Sequence, residues 1–136
     1  MRLVHVAAGA LFDSQGRVLL AERPPGKPMA GLWEFPGGKI EPQETPEAAL
    51  IRELQEELGI TITAPQPLSF VSHGYESFHL VMLLFTVTSW QGQPIGQQGQ
   101  NLRWVEPAKI TDLPLPAADY PLLPAVQAAA HSLTDR

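Results

Sequence analysis

The stretch from Thr45 to Gly59, TPEAALIRELQEELG, constrains the fold more than any other part of the chain. Thr45 suits the N-cap of a helix, Pro46 suits the first helical position, and Gly59 suits the residue just past the helix end. Between these signals an apolar stripe recurs every three or four residues: Leu50, Ile51, Leu54 and Leu58. The pattern predicts an amphipathic helix whose stripe packs on a hydrophobic core.

The polar side of this helix carries Glu53, Glu56 and Glu57. At about 100° per residue these three carboxylates fall on one face, where like charges repel. Two interpretations remain open from local physics alone: water screens an acidic surface, or a cation binds there. Because the Gly37–Gly38 turn can bring a backbone carbonyl close, the same residues could supply the all-oxygen shell that Mg²⁺ or Mn²⁺ prefers.

Length and composition bound the remaining possibilities. With 136 residues the chain is expected to form one domain, 1–136, long enough to bury a hydrophobic core. It has no cysteine, which excludes disulfides and thiolate chemistry and suits a cytoplasmic protein. The net charge of -5 argues against a nucleic-acid polymer as partner. No apolar run is long enough to span a membrane, and the N-terminal segment is predicted to be a first strand and not a signal peptide.

The rest of the chain alternates between apolar runs and loops rich in proline and glycine. A hairpin is expected from the first two strands, joined by a turn at Asp13–Gly16. Another turn is expected at Pro36–Gly38. The predicted strands are Leu3–Leu11, Val18–Ala21, Leu32–Phe35, Leu68–Val71, Phe78–Ser89 and Leu102–Val105, with a loop at Arg23–Gly31, a connection at Leu113–Pro121 and a closing helix at Leu122–Leu133. This order predicts a mixed α/β sandwich.

The spacing around the acidic helix is the most specific signal in the sequence. Gly38 is followed after five residues by Glu44, and after seven more by the run RELQEELGI that starts at Arg52. This pattern resembles the complete signature of the Nudix hydrolases. The segments LWEFPGGKIE and PLPAADYPLL and a later GQ…W are similar to the MutT-like branch of nucleoside triphosphate pyrophosphohydrolases. The resemblance implies a Nudix fold, a mixed β-sheet between helices with the signature as a loop–helix–loop.

The same resemblance implies roles for the signature residues. The implied ligands of the divalent metal, Mg²⁺ with Mn²⁺ as a possible substitute, are Glu53, Glu56, Glu57 and the carbonyl of Gly37. Arg52 and Glu44 would orient these ligands. The metal would neutralise the triphosphate and activate a water for in-line attack, which in MutT-like enzymes is directed at the β-phosphorus and releases a nucleoside monophosphate and pyrophosphate.

Substrate contacts are implied at further positions. Arg23 matches an arginine that contacts phosphate in MutT-like proteins, and Lys39 lies near the same region; the alternative for Arg23 is a plain surface residue. Phe35 and Phe78 are candidates for the base pocket or for the core. Asp119 stands where the MutT pattern usually has asparagine, which would alter base selection because a carboxylate only accepts hydrogen bonds unless it is protonated. Alternatively, Asp119 caps a helix.

One position departs from the family pattern. Many MutT-like sequences have a glutamate in a GxEGQ segment, where this chain has Gln98. A neutral amide adds no charge and takes up no proton, so the number of metals and the identity of the general base are both open. Glu53 is the provisional base, with Glu44 or Glu76 as alternatives.

The function predicted from the sequence is therefore hydrolysis of a small nucleoside triphosphate, with 8-oxo-dGTP as the first substrate. CTP or a modified dCTP is the alternative within the enzyme class, and ADP-ribose is less favoured because the chain is short. A non-catalytic Nudix-like module that binds nucleotides is a second class, supported only by Gln98. A purely structural interaction domain has no reason to group so many carboxylates. The chain is expected to act as a monomer or homodimer.

Overall fold

The computed structural model describes residues 1–134. Its strands are β1 (Leu3–Leu11), β2 (Val18–Glu22), β3 (Trp33–Glu34), β4 (Gly37–Lys39), β5 (Thr61–Ile62), β6 (Gln66–Gly74), β7 (His79–Val87), β8 (Trp90–Gln91) and β9 (Leu102–Val105). Its α-helices are α1 (Pro46–Leu58) and α2 (Leu123–Thr134), and two 3₁₀ helices cover Pro107–Asp112 and Ala117–Leu122. Most predicted elements are confirmed, with ends shifted by a few residues.

A four-stranded mixed sheet in the order β4-β1-β7-β6 forms the centre. β1 runs parallel to β7 along its whole length, from Leu3 opposite His79 to Leu11 opposite Val87. The other two pairs, β1 with β4 and β6 with β7, are antiparallel. The apolar second half of β1 is buried on both faces, as expected of a strand in the middle of a covered sheet.

Neighbouring residues of β1 enter different cores because side chains alternate across a strand. Ala7 packs in the core beneath α1, together with the buried stripe of that helix. Ala8 packs in the core on the opposite face, together with Val126 of α2. Helix α1 contacts β1, β4 and β5, whereas α2 contacts β6 and both 3₁₀ helices. The predicted sandwich of a mixed sheet between helices is confirmed.

The predicted hairpin of the first two strands is wrong. Only Phe12 and Val18 form a bridge between the two segments. β2 then leaves the central sheet and pairs with β3 and β9 in a separate three-stranded antiparallel sheet. A further two-stranded sheet joins β5 to β8. The turn at Asp13–Gly16 does reverse the chain, but the antiparallel pairing stops at Phe12 and Val18 because the returning strand belongs to another sheet.

Two other expectations need correction. The Pro36–Gly38 segment is not simply a turn, because Gly37 and Gly38 pair with Ala8 and Ala7 as part of β4. Ile51 does not belong to the buried stripe of α1: its side chain is 36% exposed, whereas Ala49 is fully buried. Within residues 1–134, no helix combines the length and apolar character needed to cross a membrane.

Candidate active site

Both ends of α1 are fixed by specific hydrogen bonds. The Thr45 hydroxyl accepts from the Ala48 backbone N–H at 3.1 Å, which satisfies one of the free N–H groups of the first turn. Gly59 adopts φ of 71° and its N–H donates to the Gln55 carbonyl. At the same end, the Glu57 carbonyl accepts from the Gln97 N–H at 2.9 Å and from the Gln100 side chain at 3.3 Å. The acidic face of the helix is therefore held in a fixed position.

Arg52 is the centre of an ionic network on that face. Its guanidinium donates to both Glu44 carboxylate oxygens, at 2.7 and 3.0 Å. Through Nη1 it also reaches Glu53 Oε1 at 2.9 Å and Glu56 Oε2 at 3.4 Å. A hydrogen bond from Nη2 to the Lys39 carbonyl at 3.1 Å ties the network to β4. Hydrogen bonds from Arg52 and the Glu41 N–H lower the pKa of Glu44 to about 2, and Glu44 in turn raises the pKa of Arg52.

Glu57 lies on the inner side of the same face. Its Oε2 accepts a hydrogen bond from the Gly37 N–H at 3.0 Å. Burial, together with the nearby carboxylates of Glu53 and Glu34, raises the pKa of Glu57 to about 8. The hydrogen bond from Gly37 and the charge of Arg23 only partly oppose this shift. A carboxylate in these surroundings is stabilised by positive charge.

Two glycines permit the close approach of β4 to β1 and α1. A Cβ atom on Gly37 would collide with the Ala7 carbonyl, and one on Gly38 would collide with the Glu53 carboxylate. At Gly37 the obstacle is backbone, so only glycine fits there, whereas a side chain at position 38 would displace the Glu53 carboxylate. The close packing explains why a pair of glycines stands in a strand here, where a turn was expected from the sequence.

Glu53, Glu57 and Gly37 line one cavity of about 260 Å³, which we name the carboxylate cavity. Glu56 does not line it; the Glu56 side chain is 55% exposed and pairs with Arg52 at 3.4 Å. Within the described residues, no three acidic or histidine side chains converge closely enough to hold a metal without rearrangement. The ligand set Gly37, Glu53, Glu56 and Glu57 stays a prediction.

The donors at the carboxylate cavity nevertheless fit a divalent ion. They are carboxylate and backbone oxygens, the ligands that hard cations such as Mg²⁺ prefer. The pKa of Glu57 is raised by burial first and by the Glu53 and Glu34 carboxylates second, and a bound cation would favour the ionised form against both effects. Glu53 and Glu56 share Arg52 Nη1, so rotation of the exposed Glu56 side chain would be required for it to join Glu53 and Glu57.

Gln98, the departure from the family pattern, also lines the carboxylate cavity. Its backbone N–H donates to the Gln100 side chain at 2.8 Å, and Gln100 is buried against the end of α1. Gln98 therefore lies beside Glu53 and Glu57, whereas Gln100, which anchors the Gln98 loop, was not anticipated from the sequence. Glu76, considered as an alternative base, is exposed and lines neither this cavity nor the one next to it.

A second cavity of about 320 Å³ lies beside the first, and we name it the apolar cavity. Its wall includes Phe35, Tyr75, Phe78 and Met82, with Asp119 among them. Phe35 is only 4% exposed and is part of the core, and it also lines this cavity, so its contact with a base stays a prediction. Lys39 lines the cavity too.

Asp119 is the most unusual group of the apolar cavity. It is 3% exposed, and its Oδ2 has no hydrogen-bond partner in the described structure. Burial and the charge of Glu34 raise its pKa to about 7, opposed by a hydrogen bond from the Phe35 N–H and by Arg23. The helix-cap alternative is wrong, because Asp119 lies inside the 3₁₀ helix Ala117–Leu122, which begins after Pro116 and has no side-chain cap.

Arg23 and Glu34 connect the two cavities. Arg23 Nε donates to Glu34 Oε2 at 2.7 Å, and both side chains line both cavities, as does Gly37. The role of Glu34 was left open by the sequence. Burial raises its pKa, whereas Arg23 lowers it. Arg23 is thus a partly neutralised cation at the junction between the carboxylates and the apolar wall.

Comparisons with known proteins agree with this geometry. The model of the NUDIX domain family matches residues 7–125. The chain is 45% identical over 96 residues to 8-oxo-dGTP diphosphatase of Proteus vulgaris, covering 71% of this chain and 86% of the relative. It is 40% identical over 130 residues to CTP pyrophosphohydrolase of Escherichia coli, covering 94% of both.

Solved structures give the same result. A structure from a study of MutT from Aliivibrio salmonicida and Vibrio cholerae matches with a TM-score of 0.80 at 38% identity, covering 94% of this chain and 99% of the other. The chain therefore belongs to the Nudix family. Its similarity is to the MutT-like members, and Nudix hydrolases as a class use divalent metal ions.

Proposed function

We propose that this Nudix hydrolase is a Mg²⁺-dependent pyrophosphohydrolase of nucleoside triphosphates. The observation that carries the proposal is the adjacency of the two cavities, which share Arg23, Glu34 and Gly37. One cavity presents carboxylates suited to a metal–triphosphate complex, and the other presents an apolar wall suited to a base. A nucleotide is the kind of molecule that needs both environments side by side.

In this proposal Glu53, Glu56, Glu57 and the Gly37 carbonyl hold the metal, while Arg52 and Glu44 fix the carboxylate positions. A bound divalent ion supplies neutralisation of the phosphate charge and a coordinated water of lowered pKa. Arg23 and Lys39 contact the phosphates. Glu53 is proposed as the catalytic general base, since its contact with Arg52 keeps the carboxylate oriented.

The nucleobase of the substrate is proposed to enter the apolar cavity between Phe35 and Phe78. There, the unpartnered Oδ2 of Asp119 would form a hydrogen bond with it. An unsatisfied buried oxygen costs free energy, which a donor or acceptor on the substrate would recover. The protonation state of the carboxyl decides whether Oδ2 donates or accepts.

8-oxo-dGTP is the leading substrate, with 8-oxo-dGMP and pyrophosphate as products, because several relatives of this chain are 8-oxo-dGTP diphosphatases. CTP or a modified dCTP is the second candidate. It is favoured by the match to CTP pyrophosphohydrolase, which extends over 94% of both chains. We further propose that the chain acts as a single domain in the cytoplasm, removing a small nucleotide from the pool.

A substrate panel tests the proposal. Initial rates with 8-oxo-dGTP, CTP, 5-hydroxy-dCTP and ADP-ribose would be measured across a titration of Mg²⁺ and Mn²⁺, with monophosphate and pyrophosphate separated by chromatography. Preferred turnover of one triphosphate with both products is expected. Nucleotide binding without turnover at any metal concentration would favour a non-catalytic nucleotide-binding module instead.

A further inference from the structure

One wall of the apolar cavity is built by alternate residues at the start of β1 and just before it. Arg2, Val4 and Val6 all line the cavity, because every second side chain of an extended segment points to the same face. The Arg2 guanidinium lies over the Phe78 ring, 5.8 Å from its centroid. A planar cation over an aromatic face is held in orientation by the ring while its N–H groups stay available at its edge.

The hydrogen-bond donors of the Arg2 guanidinium are not used by other residues of the described structure. Throughout residues 1–134, no carboxylate pairs with its guanidinium and no hydrogen bond satisfies it. The other arginine of this cavity, Arg23, is engaged by Glu34 at 2.7 Å. Arg2 therefore offers a set of free donors at the cavity wall.

The ring beneath Arg2 is connected to the residue with the free acceptor. Phe78 packs against Tyr75 with centroids 5.2 Å apart. The Tyr75 hydroxyl accepts a hydrogen bond from the Ala118 N–H at 3.2 Å, next to Asp119 in the chain. Arg2 and Asp119 are thus parts of one connected wall, and the buried, unpartnered Oδ2 of Asp119 independently indicates that a polar ligand enters the cavity.

Arg2 is far from the metal end of the site. Gly37 pairs with Ala8, six residues further along the chain than Arg2. An extended strand advances about 3.3 Å per residue, so roughly 20 Å of backbone separate the two positions. Arg2 does not line the carboxylate cavity, whereas Arg23 does. The polar group within reach of Arg2 is consequently the part of the ligand furthest from the metal.

We propose that Arg2 is a base-binding residue, whose guanidinium donates to the acceptor edge of the nucleobase in the apolar cavity and makes no contact with the phosphates. This inference rests on the proposed function. It gives each polar group of the cavity a role. Asp119 forms a hydrogen bond with one edge of the nucleobase, and Arg2, oriented by Phe78, donates to an acceptor on another edge.

The test compares Arg2→Ala and Arg2→Lys with the wild-type protein. A matched control is Arg103→Ala, because Arg103 also lies over an aromatic ring, that of Trp33 at 5.9 Å, but lines neither cavity. Each protein would be assayed with the triphosphate that the wild type hydrolyses fastest and with ribose 5-triphosphate, which lacks a base. Thermal melting would confirm that all variants are folded.

Arg2→Ala is expected to raise KM for the nucleoside triphosphate by about tenfold, the loss of one charged hydrogen bond, with little change in kcat. Arg2→Lys should not restore KM, because an ammonium lacks the planar fork. Arg103→Ala should match the wild type. All four proteins should hydrolyse ribose 5-triphosphate equally, since no base is present to lose a contact.

Equal losses with both substrates would identify Arg2 as a phosphate contact and overturn the inference, as would an unchanged KM. If the wild type hydrolyses no triphosphate, the proposed function fails. The role of Arg2 can then still be tested by measuring, by calorimetry in the absence of metal, how tightly each protein binds nucleotides. The nucleoside monophosphates of the panel should then bind about tenfold more weakly to Arg2→Ala, and ribose 5-phosphate equally to both. Equal affinity for the monophosphates, or no binding by the wild type, would overturn it.

Discussion

Arg52 holds Glu44 through two parallel hydrogen bonds, Nε to Oε2 at 2.7 Å and Nη2 to Oε1 at 3.0 Å. This paired geometry fixes the plane of the guanidinium, which a single contact could not do. The same guanidinium donates to Glu53 Oε1 at 2.9 Å. The orientation of Glu53 is therefore set in part by Glu44, a residue that does not line the carboxylate cavity.

Arg52→Lys should lower kcat by about 10- to 100-fold, because lysine retains the charge but cannot hold Glu44 and Glu53 together. Steady-state kinetics with a Mg²⁺ titration would measure the effect. Glu47→Gln is the matched control, since Glu47 is an exposed carboxylate in the first turn of the same helix. A wild-type kcat in Arg52→Lys would show that the ion pair does not orient the ligands.

Glu56→Gln and Glu57→Gln should each lower turnover by several orders of magnitude while the protein stays folded. Their stabilities should differ. Glu57 is buried near Glu53 and Glu34, so its replacement should raise the melting temperature measured in EDTA, whereas replacement of the half-exposed Glu56 should change it little. Near-normal hydrolysis by either variant would mean that the ligand assignment is wrong.

Asp119→Asn should change how stability depends on pH. Burial and Glu34 raise the pKa of Asp119 from 3.8 to about 7, with Arg23 acting in the opposite direction. Between these two values the folded state binds more protons than the unfolded state, so the contribution of Asp119 to stability falls as pH rises through this window.

The variant should therefore gain stability relative to the wild type between pH 4 and pH 7, a range given by the shift of Asp119. Urea unfolding at several pH values would measure the difference between the two proteins. The pKa of Glu44 is lowered from 4.5 to about 2, and because both proteins contain Glu44 its contribution to stability cancels in the comparison. Parallel stability curves would contradict the raised pKa.

Gln98→Glu should increase the apparent affinity for Mg²⁺, because it adds a carboxylate to the cavity that already contains Glu53 and Glu57. The measurement is the midpoint of the metal titration of activity. Gln97→Glu is the control, since it adds the same charge one residue earlier, on an exposed side chain that does not line the cavity. Identical midpoints for the two variants would show that only the net charge matters.

Helix α1 was predictable from the sequence because its signals are local. The cap at Thr45, the glycine at its end and the leucine stripe each act within a few residues, and the structure begins and ends the helix where these signals indicate. The signature spacing also led to the Arg52 network, which joins Glu44 and Glu53 although they are nine positions apart in the sequence.

Features that depend on distant contacts were missed or misread. The Gly37–Gly38 pair has the composition of a turn, and it is a strand because its backbone pairs with Ala7 and Ala8 of β1. β2 changes sheets because its partners, β3 and β9, lie elsewhere in the chain. Strands of two residues, such as β5, have too few side chains for a periodic pattern.

In the candidate site, too, features set by local sequence were predictable and features set by distant contacts were not. Asp119 was singled out by its position, but its burial and free oxygen depend on packing that no local pattern reveals. Arg2 carried a usable signal: once the Leu3–Leu11 strand was assigned, Arg2 falls on the same face as Val4 and Val6. Tyr75 gave none, because its role depends on a hydrogen bond across 43 positions of the chain.

The alternation of β1 has an evolutionary consequence. Odd-numbered positions such as Ala7 support helix α1, which bears Glu53 and Glu57, while even-numbered positions such as Val4 and Val6 shape the apolar cavity on the other face. A substitution on one side leaves the other undisturbed so long as the strand register is kept. Residues of the apolar cavity can thus change during evolution, and with them the ligand that the cavity accepts, while the residues that support helix α1 are kept.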